Sequence, residues 1–250
     1  MPVQHYYDLE RVPRRSLSNA VFDQILERIV TGHFRAGAPL PPERRLCSDL
    51  GVSRTAVREA LARLAQVRLI HIRQGGETLV NDFREVGGLD LLPRLLHHDG
   101  DLHAEVLRAG LEMRAALAPE TARLAAFRGG PALADRLDKV VREMGEAADR
   151  PDALHDMSLR FWELVVAGSD NLAFRLAFNS LRDVFGAHRA AIAGAMVREL
   201  ADLRGYQAIA RAIHRGDGVA AARAARAHIA LGARGLAAFA SRKFPTGRAS

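Results

Sequence analysis

The chain has 250 residues, 48% of them hydrophobic and 26% charged, with a net charge of +7, a balance that suits one or two soluble domains with cores of their own. A single cysteine, Cys47, excludes an internal disulfide framework and a thiolate zinc cluster. No apolar run approaches the ~18 residues of a membrane span and the N-terminus lacks a signal-peptide core, so a cytoplasmic protein without a membrane partner is expected.

Residues 1–16 are polar and irregular and read as a flexible arm. From Val21 to Val30 the apolar positions recur at three and four residues, the mark of an amphipathic helix. "TGHFRAGAPLPP" breaks that pattern, and Glu43 to Leu50 resumes as a short helix that Pro42 tolerates at its start and Gly51 ends. Ser53 is placed to cap the next helix, which runs to about Val67. Leu69–Ile72 and Thr78–Asn81 then alternate as short strands around the paired glycines of "RQGGE". Beyond Phe83 alanine and leucine dominate, and helices are predicted near 86–98, 101–127, 131–149, 152–168, 172–193, 197–215 and 218–241. The fold class is therefore mostly α: a winged helix-turn-helix over 17–83, a linker helix over 84–98, and an all-α bundle of about seven helices over 99–243.

The helix after Ser53 buries Val57, Ala60, Leu61 and Leu64 and so turns Arg54, Thr55 and Arg58 outward. A short helix, a turn at Gly51 and this second helix form a helix-turn-helix, whose second helix fits a DNA major groove about 12 Å wide. The window from Arg44 to Gly76 holds seven arginines against Asp49 and Glu59. The planar guanidinium fork can meet guanine O6 and N7, or phosphate oxygens, two at a time. Ser53, Thr55 and the free N–H groups at the helix start suit phosphate. Gln74 with Gly75 and Gly76 has the small residues a wing tip needs for close approach to an adjacent groove.

"LPPERRLCSDLGVSRTAVREALARLAQVRLIHIRQGGETLVNDF" resembles the winged helix-turn-helix of the GntR family of bacterial transcription regulators, and the match covers residues 17–83. "NDFREVGGLDLLPRLL" is similar to the linker of the FadR-type branch, as are "LEMRAALAPETARLAA", "AGSDNLAFRLAFNSL" and "AIARAIHRGDGVAAARAARAHI" to its helical effector domain. The resemblance implies principal DNA contacts by Arg44, Arg54 and Arg58, a phosphate contact by Thr55, and a wing tip at Gln74 and Gly75 in the minor groove; Arg45 and Ser53 join them as DNA-contact candidates. Ala56 and Gln74 depart from that branch's threonine and histidine, which leaves operator identity open. It also implies a homodimer on a palindromic operator, which agrees with recognition helices spaced about one DNA turn apart.

Many relatives of that branch hold a metal in the helical domain, but the ligand positions fall here on Ser158, Trp162, Tyr206 and His228. One imidazole beside a hydroxyl, an indole and a phenol makes no divalent-cation site, so no cofactor is expected. His155 and Asp156 read as a helix-start cap, and Cys47 as a small core residue. Aromatic replacements imply an apolar cavity with a few polar handles. Arg114, either a surface residue or the partner of an effector's carboxylate or phosphate, joins Trp162, Tyr206 and His228 as the effector candidates. A small anionic effector, an acyl-CoA or another organic acid, is the expectation. The rivals are a metal-dependent regulator responding to a small carboxylic acid and, more distantly, a helical-domain enzyme, for which no nucleophile–base–orienter set is visible.

Overall fold

The computed structural model describes residues 17–73, 76–96, 104–148, 150–186 and 194–243. The expected arm at 1–16 and the wing-tip residues Gln74 and Gly75 lie outside the described residues. The chain divides into two compact units after Gly88.

In the first unit, helix α1 (Leu17–Val30) buries Val21, Phe22, Ile25, Leu26 and Ile29. It packs on α3 (Arg54–Gln66), whose buried stripe is Ala56, Val57, Ala60, Leu61 and Leu64. Burial of side chains of this size stabilises by about 1.5–3 kcal/mol each. Between them α2 (Glu43–Leu50) buries only Leu46 and stops at Gly51, which takes φ 63° and returns its N–H to the Cys47 carbonyl. That left-handed turn, open to glycine at no steric cost, sets the angle from α2 into α3. Ser53 caps α3, its Oγ accepting from the Ala56 N–H at 3.3 Å. Cys47 is half-buried rather than part of the core.

Strands β1 (Ile70–Ile72) and β2 (Thr78–Val80) pair antiparallel, with Ile70 opposite Val80 and Ile72 opposite Thr78. The stretch before α2, read from sequence only as an interruption, adds a third strip to this ribbon. Gly37 and Leu40 donate to the Val80 and Thr78 carbonyls, and the Val80 N–H returns to Ala38. Leu40 is buried there, and one large aliphatic residue among small residues and prolines gives no alternation to detect.

The predicted helix at 86–98 is instead a series of short pieces: α4 (Phe83–Val86), a 3-10 turn (Leu89–Leu91) and α5 (Leu92–Leu96). Asp82 caps α4 through a 3.0 Å bond to the Arg84 N–H, and Gly87 and Gly88 keep α4 from continuing into the 3-10 turn.

The second unit continues with α6 (Ala104–Arg128), α7 (Gly130–Glu146), α8 (Pro151–Gly168) and α9 (Leu172–Gly186), then α10 (Val197–Leu200), α11 (Leu203–His214) and α12 (Gly218–Lys243). Helices α6 and α12 pack along each other, and Leu107, Ala122, Leu137, Met144, Phe161, Tyr206 and Ile209 sit wholly inside the core. The predicted helix 197–215 is broken at Ala201 and Asp202. Asp202 starts α11 by accepting from the Gly205 N–H at 3.1 Å, so the chain turns where a single long helix was expected. Among the described residues, no helix is long and apolar enough to cross a membrane.

Candidate nucleic-acid interface and helical-domain cavity

On α3 the residues divide as the spacing requires: Arg54, Thr55 and Arg58 are exposed, opposite the buried stripe. Arg44 and Arg45 are exposed on α2. Two of these cations hold loose surface partners, Arg58 with Glu43 and Arg45 with Asp49, each at 3.5 Å. Exposed pairs of this kind are worth about 0–1 kcal/mol, so either guanidinium can leave its partner at little cost. Ala56, on the same helix, is buried under the Ser53 cap rather than presented outward. Arg63, one of the seven arginines of the basic window, is committed elsewhere: its guanidinium donates to Asn19 Oδ1 and lies 4.7 Å over the Phe22 ring, tying α3 to α1.

The second unit holds a partly open cavity of about 70 Å³ between α6, α8, α9 and α10. Its walls are mainly apolar, including Leu117, Leu159, Trp162, Phe174 and Phe178. Arg114 is not the surface residue that its sequence also allowed. Its side chain is only 14% exposed, lines the cavity, and makes a two-pronged pair with the fully buried Glu199, Nη1 donating at 2.9 Å to Oε2 and Nη2 to Oε1. Burial works to lower the guanidinium's pKa, but the charge and hydrogen bonds of Glu199 outweigh it and hold the pKa above its ordinary value.

The other three effector candidates join the same cluster at different depths. Trp162 lines the cavity, 6.0 Å below the Arg114 guanidinium, and its indole N–H has no hydrogen-bond partner among the described residues. Tyr206 and His228 lie behind the wall, fully buried, their rings 4.1 Å apart. The Tyr206 hydroxyl donates to Ser158 Oγ at 2.7 Å, and Ser158 lines the cavity. Burial pushes the Tyr206 phenol well above its ordinary pKa of 10.0, the Glu199 charge adds to the rise, and the Ser158 bond and Arg114 charge pull partly back. His228 Nδ1 meets Asp202 Oδ2 at 2.9 Å, while its Nε2 stands 3.8 Å from Glu199 Oε1.

Ser158, Trp162, Tyr206 and His228 therefore do come together, but not as ligands of a cation. The indole offers no lone pair, the phenol proton is given to Ser158, and the free imidazole nitrogen faces a carboxylate already bound to a guanidinium. This donor set does not fit a divalent metal.

His155 and Asp156 do not cap a helix start. Helix α8 begins at Pro151 with Arg150 in the capping position, so both residues stand in its second turn. His155 is buried on the cavity wall, its apolar surroundings supplied by helices that no local pattern identifies. Glu199 carries no sequence signal either. Nothing in "VREL" distinguishes it from a solvated helix residue, and its partner lies 85 positions away.

Residues 17–80 match the family described as "Bacterial regulatory proteins, gntR family", and residues 93–231 match the FCD domain. The HTH-type transcriptional regulator Mce2R of Mycobacterium tuberculosis is 41% identical over 218 residues, covering 87% of this chain and 90% of that protein. A fatty acid metabolism regulator protein of Edwardsiella ictaluri is 32% identical over 163 residues, covering 65% of this chain and 66% of that protein. Among solved structures, Escherichia coli McbR/YncC has a TM-score of 0.50 at 18% identity, covering 92% of this chain and all of that one, a likeness of fold.

Proposed function

Because the chain belongs to the GntR family of bacterial transcription regulators and carries an FCD domain, we propose that it is a cytoplasmic homodimer that reads a palindromic DNA operator with α3 and answers to a small carboxylate held in the α6–α8–α9 cavity. It is a regulator and not an enzyme. The DNA half of the proposal rests on one observation: Arg54, Thr55 and Arg58 project from the face of α3 opposite its buried stripe. Arg54 and Arg58 take base edges and phosphates, Arg44 and Arg45 add phosphate contacts from α2, Ser53 and Thr55 position the helix start, and Gln74 and Gly75 reach the minor groove.

The effector half rests on Arg114, a buried guanidinium at the wall of an apolar cavity. A carboxylate head on Arg114 with a short apolar body over Trp162 suits that space. Control follows if the ligand binds the DNA-competent and DNA-incompetent forms of the dimer unequally, since only that difference moves the equilibrium.

Footprinting of the full chain on a DNA fragment it retains tests the arrangement. Two protected half-sites with centres about 10 bp apart, or a multiple of that, are expected. A single unrepeated protected site contradicts the dimeric palindrome.

A further inference from the structure

We propose that Glu199 is an internal competitor for the effector: the cavity selects a carboxylate that replaces the Glu199 carboxylate on Arg114. This rests on the effector reading above and deepens it. Among the described residues, both arginines that line the cavity are already matched with acids, Arg114 with Glu199 and Arg182 with Glu163 at 3.0 Å. An anion entering the cavity thus meets no uncompensated guanidinium among the described residues, and a second carboxylate beside an intact Arg114–Glu199 pair is repelled by the first in a poorly screened setting. Binding at Arg114 requires exchange. The Arg182 pair is 42% and 39% exposed, so solvent screens it, whereas the Arg114 pair is nearly dry and one buried carboxylate can substitute for another.

The fold provides a seat for Glu199 and a place for it to go. A methyl group built on Gly232 of α12 would overlap Glu199 Oε2, and one on Gly235 would overlap the Ala195 carbonyl. The two glycines therefore form a flat strip against which the segment from Ala195 into α10 lies. On the far side of the carboxylate is His228 Nε2, 3.8 Å away and without a hydrogen-bond partner. Nδ1 is engaged by Asp202, so Nε2 is the polar atom that a Glu199 carboxylate released from Arg114 has beside it. Arg114 from α6, Trp162 from α8, Tyr206 from α11 and Asp202 are the other polar or charged groups around this pair. Exchange thus loosens the anchor that holds α10 against α6 and α12, which links cavity occupancy to backbone position.

Trp162 is the chain's one tryptophan and lines the cavity, so its fluorescence reports occupancy. Titrating the full-length protein with hexanoate, we expect Glu199→Gln to bind about tenfold or more tighter than the native chain, because a charged competitor becomes a neutral one. Glu199→Asp, which keeps the charge but shortens the reach, should fall between the two and guards against misfolding of the glutamine variant; circular dichroism checks the helix content of both. Glu163→Gln should leave hexanoate affinity within about twofold, well inside the effect of losing a charged hydrogen bond. If Arg114→Gln abolishes binding while Glu199→Gln and Glu199→Asp are no tighter than the native chain, exchange is overturned and the effector reading stands. If hexanoate leaves the fluorescence of the native chain and of Glu199→Gln unchanged, both are overturned.

Discussion

Arg58 Nε stands 3.5 Å from Glu43 Oε1, joining the outward side of α3 to the start of α2. The side chains are 73% and 46% exposed, so the pair is loose and leaves Arg58 available for the proposed DNA contact. Replacing Glu43 by Gln removes both the competitor and a like charge facing phosphate. We expect Glu43→Gln to strengthen DNA binding by up to about 1 kcal/mol, the ceiling for such a pair, with little change in melting temperature. Fluorescence anisotropy on labelled duplex at two salt concentrations measures it, and weaker binding would contradict the assignment.

Arg63 supplies the contrast within the same basic window. Its guanidinium is fixed by Asn19 and the Phe22 ring inside the first unit. Arg63→Ala is expected to cost about 1–2 kcal/mol of folding stability through lost packing and a lost cation–π contact. Residual DNA affinity, measured well below the melting temperature, should change far less than for the arginines of the outward face. A large affinity loss with unchanged melting would mark Arg63 as a DNA contact instead.

Tyr206 makes the fold sensitive to alkali. Its phenol is held neutral by burial and by Glu199, with the folded pKa raised above 10.0. The unfolded chain gives up that proton near pH 10 while the folded chain keeps it, so the folded state binds the extra proton and stability falls as pH climbs above about 10. Of the chain's three tyrosines, one should fail to contribute phenolate absorbance until the protein unfolds. Tyr206→Phe should remove that delayed step. Because it strands the Ser158 hydroxyl, it should also cost about 1 kcal/mol near neutral pH, read by denaturant unfolding.

How far the sequence could be read depended on whether the deciding interaction is local. The cap at Ser53, the turn at Gly51 and the buried stripe of α3 are set within a few residues, and each is visible as spacing. The strip at Gly37–Leu40 is held by hydrogen bonds to a strand some forty residues later, with one apolar side chain to signal it. The break at Asp202 looks like one more polar residue on an amphipathic surface until its bonds to Gly205 and His228 are seen. Arg114 was recognisable as a candidate, but its surface or buried state depends on Glu199, which only the packing of α10 against α8 and α12 brings near. Glu199 itself carries no local mark, because a buried acid and a solvated one have the same neighbours in sequence.

The proposed DNA recognition turns on the outward side of α3. Its most direct test is the affinity of Arg54→Ala and Arg58→Ala for a duplex that the native protein retains, measured by anisotropy at fixed salt, with circular dichroism to verify folding. Each substitution is expected to cost roughly 1–3 kcal/mol of specific binding and leave the helix content intact. Native affinity in both folded variants would contradict it.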